Sequence, residues 1–499
     1  MKLARWSLRA LLPFIGGLLV AFSLPPFGWW PSAIVGVALL ASAVRERPVG
    51  QRALAGLLAG AGQLIVGLAW ADKFTLLGYM ALVLVPSAMF ALACGLARRG
   101  PAQVPALAGL LTLAEWARDS WPFGGVPPGG IALGQAGGPL LGTARLGGNI
   151  LVAALTYLAG VALGNLVVAL YRRRGVSRSP DLLASCLGIV LVLALGLWGA
   201  LAPDGGPPTR TDRVAIVQGG GRRGLSDLEV PASVVYAATL RATMRVHPPV
   251  ALVLWPEDIV ALTGPLAGSP EAMQLSGLAK RLHTTLLAGV TETVGSGQFR
   301  NEIVAYGPSG ALVAVFEKVH RVPFGEYVPW RSFFSHLANL QAVPRDAIAG
   351  HGSGMIATPA GRLAVLVSYE VFFPDRGRSG VRAGGQLIIV PTNTSSYSSA
   401  QAPSQEIAAS RLQAVAEGRD LLQAAPTGYS AVVNNRGAVL DRTALSVSAV
   451  LETSVALRAG RTLYCLWGDA PILLLALASA LAGLVLGEFA RRRTGHLPR

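Results

Sequence analysis

The chain is poor in cysteine, in charge and above all in acid. Its three cysteines, Cys94, Cys186 and Cys465, lie in or beside long apolar runs of a 499-residue sequence. That excludes a disulfide framework, and no Cys/His spacing suits a zinc site. Charged residues make up 14% of the chain against 52% hydrophobic, and a mean hydropathy of +0.51 excludes an ordinary soluble protein. Lys and Arg outnumber Asp and Glu by 42 to 26. This excess does not imply a nucleic-acid partner, because the basic residues form short clusters abutting apolar runs rather than one stripe. With no His/Cys/Asp cluster at ligand spacing, neither a metal nor an organic cofactor is expected.

The apolar residues come in blocks. Runs near 8–24, 30–44, 53–71, 74–97, 104–117, 150–170, 182–202 and 470–490 predict eight spans, since about 20 residues cross a bilayer. The 30–44 and 104–117 runs are short enough to tilt or re-enter. The first run follows Lys2, Arg5 and Arg9 as a signal peptide would, but it lacks a small-x-small cleavage site, and more apolar runs follow at once. It is expected to remain as a helix.

Basic clusters recur at alternate connections: Arg45, Arg47 and Arg52; Arg98 and Arg99; Arg172, Arg173, Arg174 and Arg178; Arg491, Arg492 and Arg493. Such clusters are retained in the cytoplasm. The resulting plan is a membrane domain over 1–203 with about seven spans, an extracytoplasmic domain over 212–458, a last span over 470–490 and a basic cytoplasmic tail over 491–499. Trp29, Trp30 and Trp121 read as interface anchors.

Within 212–458 the pattern changes to short β-rich runs. Val214–Gln218, Ala251–Trp255, Thr285–Val290, Leu363–Val367 and Leu387–Val390 read as buried strands, while Glu271–His283 and Gln405–Glu417 have helical periodicity. Alternating strands and helices predict an α/β layered domain. Asn301–Lys318 reads as a hairpin turning at Gly307-Pro-Ser-Gly310.

Three apolar runs close on polar residues: Trp255-Pro-Glu257, Glu317-Lys318 and Ser368-Tyr-Glu370. If the three strand ends share one cleft, they bring together a carboxylate base, a cationic oxyanion stabiliser and a small nucleophile, the parts needed to make and break an acyl-enzyme. His320, nearby in sequence, reads as a structural hydrogen-bonding residue.

At these residues the sequence resembles the apolipoprotein N-acyltransferase family, the membrane-bound branch of the nitrilase superfamily. The segment Lys318-Val-His-Arg-Val-Pro-Phe-Gly-Glu-Tyr-Val-Pro329 is close to the family's lysine segment, Trp255-Pro-Glu257 to its glutamate segment, and Ser23–Pro31 to its first extracytoplasmic turn. The resemblance implies a multi-span α-helical membrane protein with an inserted α/β nitrilase-like domain of α-β-β-α layering, sited in the bacterial cell membrane. It implies transfer of an acyl chain from a phospholipid donor, through an acyl-enzyme, to the amine of a diacylglyceryl-lipoprotein. Carried over residue by residue, Glu257 is the general base, Lys318 the oxyanion stabiliser and position 368 the nucleophile, with Glu326, Tyr369 and Glu370 in support.

Two departures stand out. Ser368 replaces the family's cysteine, and Asn393-Thr-Ser-Ser396 replaces an Asn-Asp-x-Trp-Phe-like segment; Thr392-Asn-Thr is reminiscent of a high-GC Gram-positive branch. A thiol, with a reference pKa of about 8.5, ionises readily beside a lysine, whereas an alcohol must lose its proton during attack. The sequence therefore leaves three readings: an acyltransferase working through Ser368, a catalytically silent homologue that binds lipoprotein or phospholipid, and a membrane-tethered amidase.

Overall fold

The computed structural model describes residues 2–45, 47–73, 75–97, 103–171, 180–222, 230–336, 340, 343–394 and 399–494. The clusters at Arg98 and Arg99 and at Arg172, Arg173, Arg174 and Arg178 lie outside the described residues, as do Ser395 and Ser396. The chain divides into two compact units, residues 1–202 with 467–499 and residues 203–466.

The first unit is helical. α1 (Lys2–Ser23), α2 (Trp30–Val44), α3 (Val49–Gly67), α4 (Leu76–Leu96), α5 (Gln103–Ser120), α6 (Ala144–Tyr171), α7 (Pro180–Leu201) and the C-terminal helix Ala470–Thr494 occupy the eight apolar runs. Four stretches are long and apolar enough to cross a membrane: Val49–Gly67, Leu76–Leu96, Pro139–Tyr171 and Leu182–Leu201. Leu11–Ser23, Trp30–Val44 and Ala470–Leu486 are shorter apolar stretches.

Small residues let these helices approach closely. A Cβ on Gly17 of α1 would come within 2.0 Å of the Ala59 carbonyl of α3, so only glycine fits there. The apolar run of α5 ends at Ala117 in sequence, yet the helix continues to Ser120. Its charges satisfy one another: Arg118 Nη2 donates to Glu115 Oε1 at 3.0 Å and pairs with Asp119 at 2.7 Å, and the Tyr157 hydroxyl donates to Glu115 Oε2 at 2.8 Å. Buried charges are tolerated when paired in this way. α6 starts earlier than the apolar run predicts and breaks at Gly147 and Gly148.

The second unit has α-β-β-α layering. One eight-stranded sheet contains β1 (Pro208–Gln218), β2 (Leu252–Leu254), β3 (Val260–Leu262), β4 (Thr285–Val294), β5 (Gln298–Tyr306), β6 (Leu312–Glu317) and β7 (Asp346–Ala347). A six-stranded sheet contains β8 (Met355–Thr358), β9 (Gly361–Val365), β10 (Leu387–Pro391), β11 (Leu421–Ala424), β12 (Ala431–Val433) and β13 (Val439–Arg442). β14 (Ala449–Arg458) returns to the first sheet, antiparallel to β1.

Inner faces of both sheets form one core, in which Val214, Ile216, Leu254 and Ile303 of the first meet Leu363, Val365, Ile389 and Leu422 of the second. Outer faces are covered by helices. α8 (Ala232–Thr243) and α9 (Pro270–Leu282) pack Val235, Leu275 and Leu278 onto the first sheet. After the short α10 (Arg331–Phe334), α11 (Pro374–Arg382) and α12 (Gln401–Glu417) lie against the second. The five expected strands, both expected helices and the hairpin are all present, the hairpin as β5 and β6.

Candidate active site

Parallel strand pairing sets the positions of the polar residues that end the apolar runs. In β2, Leu254 stands opposite Leu287 of β4; Pro256 has no N–H to give, but its carbonyl accepts from Gly289 N of β4 at 3.1 Å and so holds the backbone in place one residue before Glu257. Here β4 passes very close: a Cβ on Gly289 would lie 2.5 Å from Glu257 Cα and from the Pro256 carbonyl. Glycine at 289 is thus what allows Glu257 its position.

In the second sheet, Val365 of β9 pairs with Ile389 of β10. Three residues further on in each strand come Ser368 and Thr392, which are consequently neighbours. Side-by-side carboxyl ends of parallel strands are where ligands bind in α/β sheets. Ser368 itself has φ of 52° and opens a 3-10 turn, Ser368–Phe372. A non-glycine residue in that region is held under strain of about 1–3 kcal/mol, a cost that clusters at functional sites.

Lys318 is the centre of the first half of the site. It is 2% exposed, and its Nζ donates to Glu257 Oε1 at 2.9 Å and to Glu326 Oε1 at 2.7 Å. Asn301 Nδ2, from the partner strand of the hairpin, donates to the same two oxygens at 2.8 and 3.1 Å. Glu326 reaches back because the segment folds into a turn, with Val322 N donating to Glu326 Oε2 and Glu326 N to the Val322 carbonyl, each at 2.8 Å. Burial disfavours the Lys318 charge, but the Glu257 and Glu326 carboxylates outweigh it and hold the ammonium above its ordinary range. Glu257 Oε2 has no hydrogen-bond partner among the described residues.

Ser368 belongs to the second half. Its Oγ forms a hydrogen bond with Thr392 Oγ1 at 3.2 Å, and none joins it to Glu257 or Lys318. Thr392 Oγ1 also donates to Glu406 Oε1. Glu406 sits on α12, is 1% exposed, and accepts from Gln423 Nε2 at 3.3 Å through Oε2.

Two links tie the halves together. Glu370 Oε1 accepts from Val319 N at 3.0 Å and His320 N at 2.9 Å, while its Oε2 accepts from Val367 N at 2.8 Å. This buried carboxylate therefore clamps the residues after Lys318 to those before Ser368. Burial raises its pKa, against the opposing pull of Arg376 and the backbone donors. Asn393 Nδ2 donates to Asp258 Oδ2 at 3.2 Å, joining the residue after Thr392 to the residue after Glu257. The His320 ring stacks on Phe373 at 3.7 Å, with Tyr369 edge-on to Phe373 at 5.0 Å. This aromatic packing of the His320 ring was not suggested by the sequence, which pointed instead to a structural hydrogen-bonding residue.

All six residues named from the sequence, Glu257, Lys318, Ser368, Glu326, Tyr369 and Glu370, lie in this neighbourhood. Asn301, Thr392, Glu406 and Gly289 were not legible beforehand. Among the described residues, no group of three or more His, Cys, Asp or Glu is arranged to hold a metal.

Comparison with known proteins fits both units. Residues 16–163 match the apolipoprotein N-acyltransferase N-terminal domain and residues 213–461 match the carbon-nitrogen hydrolase family. The chain is 29% identical to the apolipoprotein N-acyltransferase of Allorhizobium ampelinum over 92% of each protein. It is 29% identical to that of Mycolicibacterium smegmatis over 96% of this chain and 85% of the relative. Against that of Gloeobacter violaceus, identity is 34% over 49% of this chain and 46% of the relative. Among solved structures, Nit3 of Saccharomyces cerevisiae, a nitrilase-superfamily member, is 20% identical with a TM-score of 0.39, over 50% of this chain and 91% of its own. With both of its units matched and full-length relatives of one name, the chain is a member of the apolipoprotein N-acyltransferase family.

Proposed function

We propose that the chain moves an acyl group from a phospholipid onto Ser368 and then to the N-terminal amine of a diacylglyceryl-lipoprotein. The observation that carries this reading is Lys318, a buried cation clamped by Glu257 and Glu326 beside the strand end that bears Ser368. An ammonium fixed in a largely dry site is a preorganised oxyanion stabiliser. Held charged by two carboxylates, it is not the neutral lysine that would serve as a base in a Ser-Lys pair.

In the first half-reaction the Ser368 oxygen attacks the ester carbonyl, the oxyanion forms beside Lys318, and the lysophospholipid alcohol leaves. In the second, the lipoprotein amine attacks the acyl-serine. Glu257, with Oε2 unengaged, accepts the amine's proton and passes it to the departing Ser368 oxygen as the ester C–O bond breaks, which leaves Glu257 ionised again. All eight helices that occupy the apolar runs, the shorter ones included, span the cell membrane in this reading, residues 1–203 and 470–490 forming the membrane domain, 212–458 facing outward and 491–499 a basic cytoplasmic tail.

Acyl labelling of the purified full-length protein tests the proposal. The wild type should acquire an oxygen ester that resists neutral hydroxylamine, Ser368→Ala should acquire none, and Ser368→Cys should label faster as a thioester. Equal, undetectable labelling of folded wild type and Ser368→Cys would sink it in favour of a silent, lipid- or lipoprotein-binding homologue. Release of free fatty acid at the same rate with and without lipoprotein would instead indicate an amidase-like hydrolase.

A further inference from the structure

An alcohol needs a base that a thiol does not, and the contacts of Ser368 identify one. Its Oγ bonds not to Glu257, whose Oε1 is committed to Lys318 and Asn301, but to Thr392 Oγ1 at 3.2 Å, which in turn bonds Glu406 Oε1. Thr392 has a single hydroxyl proton, so it cannot donate to both neighbours at once. When Glu406 is ionised, Thr392 donates to it and the Ser368 hydroxyl donates to Thr392. When Glu406 is protonated, the chain runs the other way. Either proton placement satisfies all three groups, which is what a relay requires. A merely structural buried glutamate would be paired with a cation or held by backbone amides, as Glu370 is by Val319, His320 and Val367.

We propose that Thr392 and Glu406 form a proton relay that activates Ser368 in the acylation step, with Glu406 as the terminal acceptor. The inference rests on the acyl-transfer reading above. As the Ser368 Oγ–acyl carbon bond forms, the Ser368 proton passes to Thr392 Oγ1 and the Thr392 proton passes to Glu406. As the ester C–O bond breaks, the same proton returns through Thr392 to the departing alcohol, leaving Glu406 ionised. No other co-reactant is needed.

The surroundings of Glu406 suit the task. Burial, foremost, and the Glu257 carboxylate push its carboxyl up to about 8, against the Thr392 and Thr394 hydroxyls and the Lys318 ammonium, which pull it down. Those two charged groups, Glu257 and Lys318, are the ones that face it from the first sheet, while Gln423 faces it from β11. A carboxylate of this basicity is a far better acceptor for an alcohol's proton than one at the reference value of about 4.3.

The test measures acyl-enzyme formation by the full-length protein in mixed micelles of phosphatidylethanolamine carrying an alkyne-tagged palmitoyl chain, as a function of pH. The wild-type rate should climb as pH rises and level off above about 8, as Glu406 ionises. E406Q and T392V should lower the plateau by about 10²-fold or more and remove the climb, as expected for loss of a general base. T392S keeps the hydroxyl and should restore both, which guards against a variant that fails to fold. Placed in an S368C background, where the thiolate forms without the relay, E406Q should cost less than about 10-fold.

An equal E406Q penalty in both backgrounds, with the pH climb retained, would make Glu406 structural and overturn the relay. Labelling of S368C without any labelling of wild type would also overturn it, while sparing the roles of Glu257 and Lys318. If neither labels, the acyl-transfer reading itself fails.

Discussion

The site's two halves are both largely buried but arranged on opposite electrostatic principles. On the first sheet, Glu257, Lys318 and Glu326 form a carboxylate-ammonium-carboxylate cluster in direct contact, with Asn301 Nδ2 donating to the same two carboxylate oxygens as the ammonium. On the second, Ser368, Thr392 and Glu406 are linked by hydroxyls, and the nearest carboxyl is one that burial drives toward its neutral form. With the relay proposed above, one site holds both a fixed positive charge and a mobile proton. The charge is held by direct ion pairs, whereas the proton moves along hydrogen bonds between hydroxyls and a carboxyl that makes no ion pair among the described residues.

Removing the cation should break the comparison most severely. Lys318→Met leaves Glu257 and Glu326 facing each other without a counter-ion, and breaking a buried pair costs about 3–5 kcal/mol of stability. Acyl-enzyme formation should also fall by at least about 10²–10³-fold, the usual loss for one oxyanion donor. Chemical denaturation and acyl labelling together check this; a variant that labels at a wild-type rate would show that the ammonium is dispensable.

A smaller effect is expected from disturbing the charged half without touching its charges. Gly289→Ala puts a Cβ 2.5 Å from the Glu257 backbone, and the atoms it meets are main chain, so the strand end must move. Overpacking of this kind costs about 1–3 kcal/mol. Displacement of Glu257 by even a fraction of an ångström should slow acyl transfer about 10-fold or more. Thermal unfolding and turnover measured side by side decide it: a stability loss with unchanged turnover would detach Gly289 from the chemistry.

The smallest effect sharpens the comparison by contrast. Arg300 pairs with Glu317 at 3.1 Å, one residue before Lys318, but their side chains are 42% and 35% exposed. Arg300→Ala should change stability by less than about 1 kcal/mol and leave acyl labelling unaltered, because exposed pairs are screened by water and salt. A larger loss by denaturant titration would mean that burial is not what separates the two kinds of pair.

How far the sequence reveals this site depends on where each residue lies. Glu257, Lys318 and Ser368 each close an apolar run, so pattern alone places them at strand ends, and the helices of the first unit follow from their apolar runs in the same way. Asn301 was hidden because it sits inside a hairpin strand and becomes a site residue only through its cross-strand neighbour, Lys318, whose N–H donates to the Asn301 carbonyl at 2.9 Å. Glu406 was hidden for a different reason. α12 shows helical periodicity, and its polar residues look like a solvent face, yet Gln405, Glu406, Ser410, Gln413 and Glu417 are all buried. No one-dimensional pattern distinguishes a wet polar face from a dry one. β14 was missed as well, since its residues are mostly half-buried and its pairing partner, β1, lies more than two hundred positions away in sequence.

Placing oxygen rather than sulfur at position 368 also changes what the site is vulnerable to. Peroxide carries thiolates up through sulfenic to sulfinic acid, and alkylating reagents cap them, but a serine hydroxyl undergoes neither reaction. Of the chain's thiols, Cys94 and Cys465 are buried and Cys186 lies on a helix of the first unit. If Ser368 is the nucleophile, as proposed, reactive oxygen and thiol poisons find no target there, and the cost of a slower attacking group comes with resistance of that atom to oxidation.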